Sequence, residues 1–362
     1  MPLRALHGDR DVVAPLLHDD EWTSLKAIAR LGALTLPCCG SPAKLRVSKL
    51  GLKHFYHPSA SLCAAKGETE AHLLAKLEIL RACLEAEYTA QTECSENDWR
   101  ADILAIQGDS RVAFEVQWSR QTLEEILQRQ EAYRRHGVRG CWFVRHPPRE
   151  LVQYTRDHDL LARHDLPLFL LEQAEQGTFV VYLNARLYPL EEIVVALLQR
   201  RISFRAVLTS APQQQVRIGF FPIVCWRCHR TSHVYALVEP EYGTVCGRSI
   251  YLLSTLWSDE KREFASEIRA AVQSYLLTVE GSVIQMGAIK RRYSHTTGCS
   301  YLSFGCRYCD ALFGDWPLRS EEIAARFGTW AAVLDATVTL RQSVSEAVPH
   351  WCYPASGSFC QG

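Results

Sequence analysis

The sequence predicts an α/β protein in three parts. Three observations carry that prediction. Residues 66–144 are patterned as helix, three strands, helix and strand. Ahead of them, residues 1–64 hold closely spaced cysteines and histidines. Beyond residue 215, two C-x-x-C pairs each follow an apolar strand candidate. The expected boundaries are 1–64 for a segment with a Cys/His knuckle, 65–205 for the α/β domain, 206–215 for a linker and 216–362 for a cysteine-bearing domain.

Composition narrows the class. The chain has 362 residues, 48% hydrophobic and 22% charged, which is globular and excludes wholesale disorder. Its formal net charge is zero, so any basic surface must be local. No apolar run approaches the roughly 18 residues of a membrane helix. Met1-Pro2-Leu3-Arg4 is not a signal core, and the expected location is the cytoplasm. Fourteen cysteines with two C-x-x-C pairs favour metal or free thiols over disulfides.

Taken in order, residues 1–30 read as a lead-in strand and a turn around Asp19-Asp20-Glu21. Pro37-Cys38-Cys39-Gly40, His54, His57 and Cys63 suggest a small zinc knuckle; the other reading is a β unit with buried cysteines. Leu73, Leu74, Leu77, Leu80 and Leu84 recur at helical spacing over 66–87. Glu70 shares that stripe at the helix start. It either complements the helix dipole or points into an active centre, and His72 stands beside it. Tyr88–Glu93 is a strand, closed by Ser95-Glu96-Asn97-Asp98.

Trp99–Ile106, a turn over 107–110 and Arg111–Trp118 form a hairpin. Side chains alternate along a strand. Val112, Phe114, Val116 and Trp118 therefore share one face, and Ala113, Glu115 and Gln117 the other. Asp102 sits between Ala101 and Ile103 in equally apolar company. Two carboxylates on neighbouring strands can converge on one hard cation, which can polarise a phosphodiester and generate hydroxide. Thr122-x-x-Glu125 is a capping box. Leu123, Ile126 and Leu127 line the helix that follows, Gly137 stops it, and Gly140–Val144 is a strand. Arg129 and Tyr133 lie four apart and share a helix face. With Arg134, Arg135, Arg139, Arg145 and Arg149 nearby, the region has the local charge that phosphate binding needs; a solvated basic face is the alternative.

Asp102, then Glu115-Val116-Gln117, then a helix with Arg129 and Tyr133, then Gly140-Cys141-Trp142-Phe143-Val144, resembles the CoiA-like competence-protein family. That family is similar to the PD-(D/E)xK, restriction-endonuclease-like nucleases. The resemblance spans roughly residues 31–205. It implies an αβββαβ core and a DNA nuclease in which Asp102 and Glu115 hold Mg²⁺ or Mn²⁺, joined by the Val116 carbonyl. Glu70 would complete the shell or position water. Arg129 and Tyr133 would contact the scissile phosphate or pack on the sheet. Gln117 stands where the wider superfamily usually has Lys. An amide orients water but cannot supply positive charge, which leaves that role to a second metal or to Arg129. The family also implies an N-terminal zinc site in which Cys39, His54 and His57 match. Its first cysteine falls on Leu36, so Cys38 or Cys63 substitutes or the site binds no metal. The process implied is handling of DNA in competence and recombination, with anti-phage defence a second use. A module that holds single-stranded or branched DNA without cutting is the rival expectation, and a purely structural zinc protein a third.

Leu166–Leu170 and Phe179–Leu183 read as added strands and Leu190–Gln199 as a helix. Ala211–Gln215 is the linker candidate. Cys225-Trp226-Arg227-Cys228 and Cys306-Arg307-Tyr308-Cys309 suit a tetrahedral Cys₄ zinc site. Asp259–Val279 between them is a long helix candidate, giving a zinc ribbon with a helical insertion. His229, Cys246, His295 and Cys299 are left as core or surface. Val348–Gly362 reads as a loosely held tail, with Cys352 and Cys360 given no role.

Overall fold

The computed structural model describes residues 2–57, 68–96, 98–152, 160–174, 177–251, 256–355 and 357–361. The chain forms two compact units, residues 1–207 with 348–362, and residues 208–347.

The first unit opens with β1 (Arg4–His7), β2 (Arg10–Val13), α1 (Asp19–Arg30) and β3 (Leu34–Thr35), in sheet order β2-β1-β3. Asp19, Asp20 and Glu21 are not a turn. They form the first turn of α1, where acidic side chains meet the positive end of the helix dipole. β4 (Lys44–Val47) and β5 (Lys53–Tyr56) make a hairpin beside it. Trp22, Leu25, Leu34 and Phe55 give this segment a small core.

The main body is a seven-stranded mixed sheet. It follows α2 (Glu70–Glu85) and contains β6 (Thr89–Glu96), β7 (Trp99–Gln107) and β8 (Ser110–Gln117). After α3 (Leu123–Arg135) come β9 (Arg139–Val144), β10 (Leu168–Gln173), β11 (Phe179–Leu183) and β12 (Arg186–Pro189). α4 (Leu190–Leu198) and β13 (Ser203–Arg205) follow. The sheet order is β12-β11-β10-β9-β8-β7-β6, with β8, β9 and β10 parallel to one another and the other pairs antiparallel. A parallel pair needs a crossover, and α3 supplies it between β8 and β9.

Both sheet faces are buried, as the alternation of apolar side chains in β8 shows. Val112, Phe114 and Val116 pack with Leu73, Leu77 and Leu80 of α2 and with Ile193 and Val194 of α4. Ala113 faces the other way, with Ile126, Ala132 and Tyr133 of α3. Gly140 of β9 lies hard against α3. A Cβ there would stand 2.1 Å from Gln130 Oε1 and 2.9 Å from Tyr133 Cδ2.

The second unit contains β14 (Leu208–Thr209), β15 (Gln213–Val224), β16 (Thr231–Leu237), β17 (Tyr242–Gly243), β18 (Ser249–Ile250), α5 (Ser266–Leu276), β19 (Lys290–Ser294), β20 (Cys299–Ser303), α6 (Asp315–Phe327), β21 (Ala332–Thr339) and β22 (Ser345–Glu346). β15 is the centre of an antiparallel sheet, β16-β15-β21. Phe220, Tyr235, Phe264 and Phe304 anchor the core. Two expectations differ here. Gln213-Gln214-Gln215 is not linker but the start of β15, paired with Thr337, Val338 and Thr339 of β21. The helix expected over 259–279 is helical only as α5, because Arg262–Phe264 is a separate 3₁₀ turn.

The tail returns to the first unit. β23 (His350–Cys352) pairs antiparallel with β13, and Trp351 packs on Phe169 and Phe204. Among the described residues no helix is long and apolar enough to cross a membrane.

Candidate active site and cysteine clusters

The β7–β8 ladder runs from Gln107↔Ser110 to Ile103↔Phe114. Asp102 is the next residue on β7. Its Oδ2 accepts the Val116 N–H at 2.9 Å, so a side chain takes a hydrogen bond at the end of the ladder. A carboxylate is thereby fixed where the two strands part.

α2 reaches this point with a polar stripe. Glu68, His72 and Lys76 lie four apart and share one side of the segment. His72 Nε2 is 3.4 Å from Asp102 Oδ2 and its Nδ1 is 4.0 Å from Glu68 Oε1. Lys76 is fully buried. Its Nζ lies 3.0 Å from Glu93 Oε1, 3.1 Å from Glu68 Oε1 and 3.4 Å from Asp102 Oδ1. Glu93 holds this position with a left-handed backbone, φ 54°. Burial alone would raise the Asp102 carboxyl, but the Lys76 charge and hydrogen bonds from His72 and Val116 hold it well below the usual carboxylate range. Burial alone would lower the Lys76 ammonium, and its three carboxylate neighbours raise it instead. Glu68, His72 and Asp102 each offer a ligand atom, all within 4.8 Å of one another.

Glu115 follows Phe114, the last residue of β8 in the ladder with β7, and meets α3. Its Oε1 is 2.6 Å from Arg129 Nη2 and accepts from the Tyr133 hydroxyl, which also meets the Arg100 carbonyl. Burial first, and the Asp102 charge second, push the Glu115 carboxyl up to about 7 against the pull of Arg129 and Tyr133. The Arg129 guanidinium lies over the Trp142 ring, 4.8 Å from its centroid. Arg100, Arg129 and Tyr133 line a groove of about 500 Å³ with Ser95, Asp98 and Trp99.

The structure therefore brings Arg129 and Tyr133 to Glu115, and Asp102 to α2. Glu70 is not in this group. It is the first residue of α2, after the N-cap Thr69, and its carboxylate accepts from Leu50 N at 3.4 Å. Glu68 and His72 stand where Glu70 was expected. The Gln117 amide donates to the carbonyl and hydroxyl of Ser119, both at 2.9 Å. Lys76 was missed altogether. The four-residue spacing of Glu68, His72 and Lys76 was the available signal.

In the second unit, Cys225 Sγ is 3.6 Å from Cys309 Sγ and Cys228 Sγ is 3.5 Å from Cys306 Sγ. Thiolates about 2.3 Å from a central zinc in a tetrahedron sit about 3.8 Å apart, so the four fit that ion. The two knuckles have the same construction. His229 N donates to Cys225 O and Asp310 N to Cys306 O, with both residues left-handed at φ 58° and 59°. Arg227 N points at Cys225 Sγ and Tyr308 N at Cys306 Sγ, each at 3.4 Å. The cluster can hold a structural metal such as zinc. At the N-terminus Cys38, Cys39 and His57 come together, with Cys38 Sγ 3.3 Å from His57 Nε2. His54 does not join them; it is buried, with Nδ1 on Leu52 O. Cys63 lies outside the described residues.

The first unit is thus a mixed α/β domain with Asp102 and Glu115 at the point where the β7–β8 ladder ends. Residues 68–200 match the family model for competence protein CoiA, nuclease-like domain. No curated protein matches the chain.

Proposed function

We propose that the first unit is a metal-dependent nuclease that hydrolyses DNA phosphodiester bonds. The observation that carries this is the charge balance beside Asp102. Glu68, Glu93 and Asp102 share one ammonium, that of Lys76. Desolvated negative charge in such excess calls for a cation, and Glu68, His72 and Asp102 offer converging donors. Mg²⁺ takes oxygen ligands, and one imidazole among them suits Mn²⁺ better. Such an ion, when bound, polarises a phosphodiester and lowers the pKa of water.

The chain's own groups then have distinct roles. Lys76 keeps Asp102 ionised and supplies positive charge that Gln117 does not. Asp102 is the central ligand, with Glu68 and His72 beside it. Glu115, with the Val116 carbonyl near it, is the second carboxylate of the site once its proton is lost. Arg129 and Tyr133 present a donor-rich wall to a phosphate in the groove. The element order α2, β6, β7, β8, α3, β9 agrees with a restriction-endonuclease-like core. Zinc in the Cys₄ cluster is structural, as is zinc on Cys38, Cys39 and His57. The DNA is single-stranded or branched DNA of competence and recombination, or phage DNA in defence.

One observation favours a second reading, a DNA-holding module with weak cleavage: Glu115 is already engaged by Arg129 and Tyr133. Incubation of single-stranded, double-stranded and branched DNA with Mg²⁺ or Mn²⁺ separates the two. The nuclease cuts, and loses activity in Glu115→Ala and in chelator. Salt-sensitive binding without cutting, equal in both proteins, establishes the module instead.

A further inference from the structure

The last strand of the first unit carries a third cysteine and histidine cluster that the nuclease chemistry does not use. His350 and Cys352 are two apart on β23, so they point to the same face. Trp351, between them, points the other way and packs on Phe169 and Phe204. The chain then returns to place Cys360 beside them. All three are buried, with exposures of 2%, 0% and 2%. Their ligand atoms lie within 4.8 Å of one another.

We propose that His350, Cys352 and Cys360 are three ligands of a zinc ion that fastens the C-terminal segment to the first unit. Two details support this beyond proximity. The His350 Nδ1 is hydrogen-bonded to the Val348 carbonyl at 2.9 Å. Donation there leaves the lone pair on Nε2, the tautomer and ring orientation that ligating histidines adopt. The Cys360 N–H points at Cys352 Sγ at 3.4 Å. That is the distance of the N–H to sulfur contacts at Cys225 and Cys306, and such donors favour a thiolate. The fourth position of a tetrahedral ion belongs to water or to another side chain. The staple has a purpose, because β23 is three residues long and pairs with one short strand, an arrangement that is marginal by itself.

Two measurements on the whole 362-residue chain test the proposal. The first is zinc content of wild type, Cys352→Ser/Cys360→Ser and Cys225→Ser/Cys228→Ser, by mass spectrometry of the metal. Each variant should lose one equivalent, and the double pair should lose them independently. Unchanged zinc in a folded Cys352→Ser/Cys360→Ser protein overturns the proposal. The second uses wild type alone, in case that variant does not fold. N-ethylmaleimide should label Cys352 and Cys360 at least tenfold faster after phenanthroline removes metal. Labelling that phenanthroline does not change, or an intact mass showing the two joined as a disulfide in metal-free protein, overturns it equally.

Discussion

Lys76 is the residue on which the candidate centre turns. An ammonium with no exposure is tolerated only because carboxylates surround it. Removing one partner of a buried ion pair costs roughly 3–5 kcal/mol. Lys76→Met should therefore destabilise the protein by about that amount in urea denaturation, and added Mn²⁺ should recover part of the loss by occupying the same carboxylates. Equal destabilisation with and without metal would place the cation elsewhere. Glu78 offers a second test, away from the site. Burial first, and Glu191 second, push its carboxyl up to about 7. A raised carboxyl holds its proton in the folded state when the unfolded chain has lost it. Stability therefore falls as pH rises from the unfolded value near 4.5 through about 7. Glu78→Gln removes that loss. Its melting temperature should exceed that of wild type at pH 8 and approach it at pH 4; a difference independent of pH contradicts this.

At the scale of elements, α3 connects the groove to the sheet. Its capping box forms as expected, with Thr122 N on Glu125 Oε2 at 2.8 Å and Glu125 N on Thr122 Oγ1 at 3.2 Å. Its seating depends on Gly140. Gly140→Ala must displace Gln130 and Tyr133, and overpacking of this kind costs roughly 1–3 kcal/mol. The variant should lose DNA binding or cleavage along with that stability, because Tyr133 and Arg129 move with the helix. Full activity in a destabilised Gly140→Ala protein would detach the groove from function. The hairpin of β7 and β8, the capping box and both C-x-x-C knuckles were legible because each is local in sequence. The stripe of Glu68, His72 and Lys76 was not. Its meaning depends on Glu93 and Asp102 arriving from other strands, and the nearer carboxylate Glu70 turns to Leu50. Nor was β23 legible, since its partner β13 lies almost 150 residues earlier. The tail's Pro, Ser and Gly outweighed its short run of His350, Trp351 and Cys352.

On the scale of the whole molecule, the chain forms two units with separate cores. The mixed α/β class was legible from period, because β8 alternates between two buried faces and α2 repeats leucine toward one of them. The unit boundaries were less so. The polar run Gln213-Gln214-Gln215 looks like a connection but lies in a sheet through pairing with β21, a long-range contact that composition does not report. The Cys₄ cluster joins β15 to the turn after β20, so it closes a long loop of the second unit. Structural zinc contributes directly to folding. Cys228→Ser should thus lower the melting temperature and expose residues 208–347 to protease, with 68–200 remaining protected. Protease sensitivity spread evenly over the chain would contradict the separate cores.

The most direct test of the central claim is Mn²⁺ binding, followed by the loss of the free-ion resonance in electron paramagnetic resonance, for wild type and the isosteric Asp102→Asn. A site should be present in wild type, lost in Asp102→Asn and weakened at least tenfold in His72→Gln, with DNA cleavage lost in parallel. Mn²⁺ bound equally by wild type and a folded Asp102→Asn protein would contradict it.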